Sequence, residues 1–433
     1  MNLHLQYISK LDTRSRSLGT KLEISITGSK SETNRLLLLQ ALYPTISLEN
    51  ASNSDDSEVM EKALQKLKTE NCQLPTEIDV HHAGTAMRFL TAYFAIQEGK
   101  EVVLTGSSRM KERPIKILVD ALQQLGAEIS YQEKEGFPPM KIIGKKVNKS
   151  KVSLPANVSS QYISALLLIA PKLENGLELT LEGEITSLPY INMTIELLNN
   201  IGVETSFEEN IIKVNPLVTL STVEGQNITI ESDWSSASYW FSIVALSEIG
   251  TKITLSSYKK NSLQGDSVLV EIYKNFGVET VFNDDNSITI SKINYNIKRQ
   301  SRSFGTLFLN LQSSPDIAQT IAVTCFGLGI GCHLTGLHTL KIKETDRLEA
   351  LKNELTKLGV TISVTNDSLT LESSEKINEN CVIKTYQDHR MAMAFAPLAL
   401  RVPIIIENAE VVSKSYPTFW DDLKSIGFTI QKE

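Results

Sequence analysis

The stretch IKILVDALQQLGAEIS, residues 115–130, decides the fold, because it joins three structural signals in one segment. Apolar residues recur at helical spacing, at Ile115, Leu118, Val119, Leu122 and Leu125. Gly126 follows, and Gly is the residue that most often ends a helix, where φ must be positive. The run after it alternates apolar and polar residues. The segment therefore predicts a helix, a glycine step and a short strand.

The same glycine step recurs along the chain. The copies are LGAEIS, IGVETS, FGVETV, LGVTIS and IGFTIQ, and their glycines are Gly126, Gly202, Gly277, Gly359 and Gly427. These glycines lie 76, 75, 82 and 68 residues apart, which is too regular for unrelated loops. We expect a repeating unit of mixed helix and strand that fits six times into the chain. In the first of these six units, Leu67-Lys68 stands where the other five units have the glycine step.

A second series of segments predicts six buried helices. They are almost wholly apolar and begin with small or polar residues, at Gly28, Gly84, Ser159, Ser235, Ser314 and Gln387. The first N–H groups of a helix lack internal partners and favour anions, so these helix starts are candidate anion sites. Since single cores stop growing at about 250–300 residues, a chain of 433 residues predicts two halves of three units each.

Composition excludes several classes of function. The chain is 41% hydrophobic and 21% charged, and its formal net charge is -7, which argues against nucleic acid or an anionic membrane as the main partner. Its four Cys show no metal spacing, so we expect no structural metal and no disulfide. No run approaches the ~20 apolar residues of a membrane span, and no secretory signal is apparent. We expect a cytoplasmic protein.

Cationic side chains at helix starts are the candidates for binding. Lys30, Ser31 and Arg35 can converge on one anion, although Ser29 and Glu32 also fit a helix capping box. Five arginines lie at or just before helix starts, where a cation is unfavourable unless an anion arrives: Arg88, Arg109, Arg113, Arg347 and Arg390. In Lys343-Glu344-Thr345-Asp346-Arg347, we interpret Asp346 as the helix cap, which leaves Lys343, Glu344 and Arg347 for function.

Other polar helix starts allow two interpretations. Ser159, Ser160 and the serines from Ser235 are either N-caps or phosphate contacts, and capping is the simpler interpretation for each alone. Asp316 is either a cap or a general base for a hydroxyl.

Six motifs in this order resemble the EPSP synthase family of enolpyruvyl transferases. They are GSKSETNR from Gly28, AGTAMR from Ala83, RMKERP from Arg109, SSQ from Ser159, KETDR from Lys343 and DHRMAM from Asp388. The resemblance extends from about Lys21 to Lys414. It implies an α/β fold, a two-domain inside-out α/β barrel with three β-α-β-α-β-β units per domain. The implied domains are residues 1–27 with 232–433 and residues 28–231, which close around an active site in the cleft between them.

The reaction implied by the resemblance is transfer of the enolpyruvyl group of phosphoenolpyruvate to the 5-hydroxyl of shikimate 3-phosphate, with release of phosphate. It proceeds by addition and elimination, requires no metal or organic cofactor, and belongs to the shikimate pathway of aromatic amino acid biosynthesis. Proton movement is expected at Lys30, Asp316 and Glu344. We expect a monomer whose partners are these two small molecules.

The resemblance also implies two sets of substrate contacts. For phosphoenolpyruvate they are Lys30, Gly84, Arg109, Gln161, Arg347, Arg390 and Lys414. For shikimate 3-phosphate they are Ser31, Arg35, Ser159, Ser160, Gln161, Ser187, Tyr190, Asp316, Thr339 and Lys343. Gly84, in place of Ala, is expected to leave room for glyphosate, the inhibitor that occupies the phosphoenolpyruvate region in this family.

The chain departs from the family pattern at His82, Phe89, Leu188, Thr339 and Lys341, and these residues affect the shape of both pockets. The alternative enzyme is the related transferase for UDP-N-acetylglucosamine, which typically uses a loop Cys that is missing between Arg109 and Arg113. A catalytically silent anion-binding protein of the same fold is the other alternative.

Overall fold

The computed structural model describes residues 1–7, 22–66, 75–157, 159–183, 185, 188–217, 225–293 and 306–432, with only the backbone at 342. Cys72, Ser187 and the Leu67-Lys68 step therefore lie outside the described residues. Contacts between Cα atoms divide the chain into two compact units. We call Met1–Thr27 with Glu231–Glu433 the discontinuous unit and Gly28–Ile230 the continuous unit.

Helices and strands alternate along the described chain. The α-helices are α1 Lys30–Leu42, α2 Asp55–Lys66, α3 Gly84–Ala95, α4 Ser108–Lys111, α5 Lys116–Leu125, α6 Ser160–Ile169, α7 Leu188–Asn200, α8 Trp234–Leu246, α9 Leu269–Ile272, α10 Ala318–Gly327, α11 Arg347–Lys357, α12 His389–Phe395 and α13 Phe419–Ser425. The strands are β1 Leu3–Tyr7, β2 Glu23–Ile24, β3 Ser47–Glu49, β4 Thr76–Asp79, β5 Glu101–Thr105, β6 Glu128–Tyr131, β7 Met140–Ile143, β8 Lys151–Pro155, β9 Leu177–Glu182, β10 Thr205–Glu208, β11 Ile211–Val214, β12 Asn227–Thr229, β13 Lys252–Leu255, β14 Val278–Phe282, β15 Ile288–Lys292, β16 Thr306–Asn310, β17 Gly331–Thr335, β18 Ile362–Val364, β19 Leu369–Leu371, β20 Cys381–Ile383, β21 Ile404–Ile406 and β22 Phe428–Lys432.

The sheets repeat one pattern. In the continuous unit β4 pairs in parallel with β5, which pairs antiparallel with β7, which pairs antiparallel with the edge strand β6. The same order recurs in β8-β9-β11-β10, β2-β13-β15-β14, β16-β17-β19-β18 and β20-β21-β1-β22. Within the described residues the first repeat contributes only the parallel pair of β3 and β12. The predicted α/β class is confirmed.

The chain passes from one unit to the other twice. Each time, the strand before the passage pairs within the unit that the chain is leaving, whereas the next helix belongs to the other unit. The strand β2 leads into α1 of the continuous unit but pairs with β13 of the discontinuous unit. The strand β12 leads into α8 of the discontinuous unit but pairs with β3 of the continuous unit. The first strand of the chain, β1, completes the last sheet between β21 and β22. Each unit is thus built from distant parts of the sequence.

The predicted glycine steps are confirmed by the backbone. The five glycines from Gly126 to Gly427 have φ between 72° and 110°, in the left-handed region that side chains other than Gly avoid. Gly126 and Gly277 are the residues that directly follow a helix. The glycine step therefore marks the point where each helix turns back into a strand.

The six predicted apolar helices form the centre of the units, three in each. They are α1, α3 and α6 in the continuous unit and α8, α10 and α12 in the discontinuous unit, and nearly all their residues are buried. Helix α3 packs against α6, and α10 packs against both α8 and α12. The first N–H groups of such buried helices need partners from side chains, water or a ligand. None of the helices in the described ranges is long and apolar enough to cross a membrane.

Candidate active site

Arg347 lies at the centre of a group of charged side chains in the discontinuous unit. It is the first residue of α11, and its side chain is only 2% exposed. Its Nε donates a hydrogen bond to Asp388 Oδ2 at 2.6 Å. Its Nη1 donates to Asp316 Oδ1 and its Nη2 to Glu344 Oε2, each at 2.8 Å. One guanidinium therefore joins carboxylates from three segments of the chain.

Asp316 shares its carboxylate with two further cations. Lys343 Nζ lies 3.4 Å from Oδ1, and Arg390 Nη2 lies 3.3 Å from Oδ2. Asp316 belongs to the 3-10 turn Pro315–Ile317 that precedes α10, and its carboxylate pairs with cations instead of capping the helix. We call Asp316, Lys343, Glu344, Arg347, Asp388 and Arg390 the Asp316 cluster. Its three cations face three carboxylates.

The charges of the cluster reinforce one another. Burial opposes ionisation of Asp316, but the positive charges of Arg390, Lys343 and Arg347 outweigh it and hold the pKa of Asp316 well below its usual value. Burial likewise disfavours the two guanidinium ions, and the neighbouring carboxylates raise the pKa of both above its usual value. A carboxylate of low pKa is a weak base. Asp316 is therefore better suited to accept a hydrogen bond from a hydroxyl than to remove its proton outright.

A strained turn presents Asp388 and Arg390. Tyr386 and Gln387 have φ of 53° and 58°, a conformation that costs other residues than Gly about 1–3 kcal/mol each. Lys414 Nζ donates to the carbonyl oxygen of Gln387 at 2.7 Å, and Asp388 Oδ1 accepts from Arg390 N–H at 2.9 Å. These contacts offset the strain and fix the start of α12. Lys414, a predicted phosphoenolpyruvate contact, thus lies beside this turn.

Two sequence predictions for this unit concern the neighbours of the cluster. Asp346 caps α11, because its Oδ1 accepts from the N–H groups of Leu348 and Glu349 at 3.1 and 3.2 Å, as predicted. Thr339 lies in the 3-10 turn His338–Ile342, and its buried hydroxyl has no hydrogen-bond partner among the described residues. A buried hydroxyl without a protein partner suits a ligand contact.

Lys30 is the corresponding cation of the continuous unit. It is the first residue of α1, and its Nζ lies 3.2 Å from Asp56 Oδ2. His82 Nε2 lies 3.8 Å from the other oxygen of Asp56, so this carboxylate stands between Lys30 and one of the departures from the family pattern. Ser29 is the N-cap residue, but its side chain makes no capping hydrogen bond. The capping-box interpretation of Ser29 is therefore wrong.

Arg35 is buried under the start of α1 and held by the protein itself. Its Nε donates to Thr194 Oγ1 at 2.8 Å, and its Nη2 donates to Ser164 Oγ at 2.9 Å. Its Nη1 donates to the carbonyl oxygen of Ser31 at 2.7 Å, and the ring of Phe89 lies 5.4 Å from the guanidinium carbon. Burial lowers the pKa of Arg35 to about 10, so the side chain stays charged at neutral pH. Phe89, another departure, thus supports Arg35.

The remaining predicted contacts of the continuous unit differ in burial. Gln161 Nε2 donates to Thr85 Oγ1 at 3.0 Å, and Ser159 caps α6 by accepting from Gln161 N–H. Ser160 is buried in the first turn of α6. Arg109 is 65% exposed and pairs with Glu112 at 2.8 Å. The Tyr190 ring lies 5.9 Å from the Arg35 guanidinium carbon. The hydrogen bond from Gln161 to Thr85 thus joins the starts of α3 and α6.

Gly84 is closely approached by an arginine. A Cβ atom at Gly84 would lie 2.5 Å from Arg113 Nη1 and 2.9 Å from its Cζ. The space that the missing side chain leaves is therefore filled by the Arg113 guanidinium. Any ligand that uses the space beside Gly84 has to move this flexible side chain.

The structure corrects the argument that helix-start arginines need an external anion. Arg347 and Arg390 are balanced by carboxylates of the Asp316 cluster, and Arg109 is balanced by Glu112. Arg88 donates to the carbonyl oxygens of Gly84 and Pro114. Protein groups thus neutralise or solvate these cations, and their position at a helix start does not by itself indicate a ligand.

Three carboxylates near these groups were not predicted from the sequence. The sequence presents Asp388 only as the first residue of the DHRMAM motif, yet its side chain is fully buried against Arg347. Asp56 follows Asp55 at the start of α2, where acidic residues are common helix formers. Asp266 lies in the 3-10 turn Gly265–Val268, where its carboxylate accepts a hydrogen bond from Ser235. Ser235 is thus a partner of Asp266, while Asp233 caps α8.

Comparison with known proteins supplies the remaining findings. The model of the family described as EPSP synthase (3-phosphoshikimate 1-carboxyvinyltransferase) matches residues 18–423. The 3-phosphoshikimate 1-carboxyvinyltransferase of Bacteroides fragilis is 45% identical over 416 residues, which cover 95% of this chain and 96% of that protein. The protein of the same name from Vibrio campbellii is 35% identical, over 93% of this chain and 96% of its own length.

Solved structures show the same fold. An EPSP synthase from Acinetobacter baumannii superposes with a TM-score of 0.77 over the whole of both chains, at 21% sequence identity. At that identity the likeness supports the fold alone. The predicted fold class agrees with it.

Proposed function

The chain belongs to the EPSP synthase family, and on that premise we propose how its residues carry out the family's reaction. The enzyme transfers the enolpyruvyl group of phosphoenolpyruvate to the 5-hydroxyl of shikimate 3-phosphate and releases phosphate. The methylene carbon gains a proton while the 5-hydroxyl gives up its own proton and its oxygen bonds to C2; the adduct then loses phosphate together with one methyl proton. The step needs fixed cations and groups that carry protons.

The observation that carries the proposal is the Asp316 cluster. Its cations are the residues for which the resemblance implies contacts with both substrates. Arg347 is held by hydrogen bonds of 2.6–2.8 Å that it donates to three carboxylates, and Lys343 and Arg390 are held by Asp316 at 3.4 and 3.3 Å. Charges that are already oriented need no reorganisation during the reaction. This preorganisation is the largest source of electrostatic catalysis. Lys343 is 34% exposed and Arg390 13%, so these two cations are more accessible than Arg347.

The catalytic residues in this proposal are Lys30, Asp316 and Glu344, of which Lys30 and Glu344 carry protons while Asp316 orients the hydroxyl that loses one. The Glu344 side chain is 36% exposed while one oxygen rests on Arg347, which suits a carboxyl that exchanges a proton with a substrate. Asp316, with its depressed pKa, is suited to orient the 5-hydroxyl. Lys30 carries an ammonium that Asp56 positions on the first turn of α1.

The substrate contacts are proposed as the sequence predicts them. Phosphoenolpyruvate is bound by Lys30, Gly84, Arg109, Gln161, Arg347, Arg390 and Lys414. Shikimate 3-phosphate is bound by Ser31, Arg35, Ser159, Ser160, Gln161, Ser187, Tyr190, Asp316, Thr339 and Lys343. The buried Thr339 hydroxyl supports this assignment most directly, since it has no other partner among the described residues. Arg347 can bind a substrate anion only if the anion replaces one of its carboxylate partners, Asp316, Glu344 or Asp388. Glu344 is the most exposed of these three partners.

The activity is tested with the purified chain, phosphoenolpyruvate and shikimate 3-phosphate in the presence of a chelator. We expect continuous release of phosphate, measured by a colorimetric assay, because the proposed site uses protein charges alone. UDP-N-acetylglucosamine in place of shikimate 3-phosphate is the control and is expected to give no release. Release with the sugar nucleotide only would overturn the proposal in favour of the related transferase.

Residues of both units are proposed to act on the same pair of substrates. We therefore propose that the units close around shikimate 3-phosphate and glyphosate, and we expect the radius of gyration from small-angle scattering to decrease when both are added. An unchanged radius at saturating ligand would contradict closure.

The same scattering curves give the molecular mass, which we expect to be that of one chain. The cytoplasmic location belongs to the proposal too, and fractionation of cells that produce a tagged chain tests it.

A further inference from the structure

Glu354 is a buried carboxylate that the proposed mechanism does not use. It lies on α11, about two helical turns after Arg347, and is only 1% exposed. Burying a carboxylate costs free energy unless hydrogen-bonded or charged partners compensate for it. The partners of Glu354 therefore indicate what the residue does.

These partners lie on the segment that leads into the strained turn of Tyr386 and Gln387. Glu354 Oε2 accepts a hydrogen bond from Lys384 N–H at 3.0 Å, and Glu354 Oε1 accepts one from the Tyr386 hydroxyl at 2.7 Å. Lys357, the last residue of α11, forms an ion pair with Glu354. Glu354 therefore joins α11 to the residues that precede α12.

The strained turn is held from two sides. Glu354 holds the side chain of Tyr386, and Lys414 Nζ donates to the carbonyl oxygen of Gln387 at 2.7 Å. Two consecutive residues other than Gly keep φ of 53° and 58° only where their surroundings fix them. Lys414 is a proposed contact of phosphoenolpyruvate, so the ligand competes for its ammonium group. Glu354 binds no substrate in the proposal and can hold the turn while Lys414 contacts the ligand.

The turn sets the place of the cluster residues that follow it. Asp388 accepts the hydrogen bond of 2.6 Å from Arg347 Nε, and it caps α12 by accepting from Arg390 N–H at 2.9 Å. Arg390 Nη2 in turn lies 3.3 Å from Asp316 Oδ2. Helix α11 thus fixes this part of the chain at two points, through Arg347 at its start and through Glu354 farther along. Loss of the Glu354 contacts leaves the turn free to shift, and Arg390 shifts with it.

We propose that Glu354 is a positioning residue for phosphoenolpyruvate binding, because it holds the strained turn in the conformation that presents Arg390 and places the Gln387 carbonyl oxygen beside Lys414. The inference rests on the proposed function, since it takes phosphoenolpyruvate as the ligand of Arg390 and Lys414. Glu354 acts through the turn without touching the substrate, and it neither gains nor loses a proton during the reaction.

Removal of the contacts between Glu354 and the turn is expected to weaken phosphoenolpyruvate binding in steps. Tyr386→Phe removes one hydrogen bond and keeps the ring, and it is expected to raise the KM for phosphoenolpyruvate by about threefold or more. Glu354→Ala removes the hydrogen bonds to both Lys384 and Tyr386 and is expected to raise this KM by about tenfold or more. Glu354→Gln keeps an acceptor oxygen for Lys384 N–H, so its effect is expected to be smaller than that of Glu354→Ala.

The effect is expected to be selective for one kinetic constant. A binding contact made equally in the ground state and the transition state affects KM and leaves kcat unchanged. The KM for shikimate 3-phosphate is expected to change little, because its proposed contacts Asp316, Thr339 and Lys343 lie outside the turn. A merely structural role of Glu354 would lower the stability and the amount of active enzyme without a selective rise in the KM for phosphoenolpyruvate.

Two control variants match these changes in the same unit. Glu349 lies on the same helix, is 48% exposed and pairs with Lys352 at 3.3 Å, so Glu349→Gln removes the same charge as Glu354→Gln. The Tyr273 hydroxyl forms a hydrogen bond of 2.9 Å with Thr324 on α10, so Tyr273→Phe removes a tyrosine hydrogen bond that does not involve the turn. Both controls are expected to keep the two KM values of the unmodified enzyme.

The experiment measures the KM for each substrate at a saturating concentration of the other, together with thermal unfolding of every preparation. An unchanged KM for phosphoenolpyruvate in Glu354→Ala and Tyr386→Phe would overturn the inference, as would an equal rise in both KM values or the same rise in the controls. Absence of turnover by the unmodified enzyme would overturn the proposed function and, with it, this inference. If Glu354→Ala fails to fold, Tyr386→Phe decides alone, since the Tyr386 side chain is only half-buried.

Discussion

Replacing Lys30 with Met is expected to lower kcat by ~10³-fold or more, because the variant loses the charge that the proposal assigns to phosphoenolpyruvate and to proton movement. Folding should be little affected. The Lys30 ammonium pairs with Asp56 at 3.2 Å, and an ion pair of this partly exposed kind contributes about 1 kcal/mol or less. Steady-state kinetics and urea unfolding of the same preparation measure the two effects separately.

Lys62→Met is the matched control for Lys30→Met. Lys62 lies on α2 of the same unit, is 74% exposed and pairs with Glu58 at 3.1 Å. Its replacement removes the same charge from the chain and is expected to leave kcat unchanged. Near-normal turnover of Lys30→Met would refute the catalytic role of Lys30, whereas a large loss in both variants would indicate an effect of net charge.

Arg347→Met is expected to reduce the free energy of unfolding by about 3–5 kcal/mol, because it leaves buried carboxylates without their cation. Asp388 is the critical group, since its side chain is fully buried and loses the hydrogen bond from Arg347 Nε. For a unit of this size the loss corresponds to a fall of roughly 10 °C in Tm. Turnover should fall as well, since Glu344 and Asp316 lose the guanidinium that orients them. Thermal and denaturant unfolding give the stability change.

Lys424→Met supplies the comparison for Arg347→Met. Lys424 is 50% exposed in the same unit and pairs with Asp421 at 3.0 Å, so its removal is expected to cost less than about 1 kcal/mol. Equal stability of Arg347→Met and Lys424→Met would contradict the view that Arg347 holds the cluster together. The Arg347 variant is informative in either direction, because the cluster is both a structural core and the proposed site.

Local patterns in the sequence were sufficient to predict the repeat. A glycine that needs positive φ and an apolar helix before it are local properties, and Gly126 and Gly277 have that backbone conformation. The apolar sequences of the six helices predicted their burial equally well, and α8 is buried along its whole length. The cap at Asp346 depends only on the N–H groups two and three residues further along the chain, and the structure confirms both hydrogen bonds.

Long-range pairing could not be predicted in the same way. That β2 pairs with β13 and β12 with β3 depends on which repeats meet in space, and no local pattern encodes it. Asp388 contacts Arg347 across 41 residues, and Ser235 contacts Asp266 across 31. Residue type and spacing identified the cations as well as Asp316 and Glu344, but only the three-dimensional structure shows that Asp388 balances Arg347 and that Asp56 balances Lys30.

The central claim is that this chain forms an enolpyruvyl ether on the 5-hydroxyl of shikimate 3-phosphate. NMR spectroscopy of the product, made by the purified chain from phosphoenolpyruvate and shikimate 3-phosphate with chelator present, tests it most directly. The proposal predicts a pair of vinyl protons, a three-bond correlation from the proton at position 5 through the ether oxygen to the enolpyruvyl C2, retention of the 3-phosphate, and one inorganic phosphate per product. An unmodified 5-hydroxyl, or phosphate that comes from shikimate 3-phosphate, would contradict the claim.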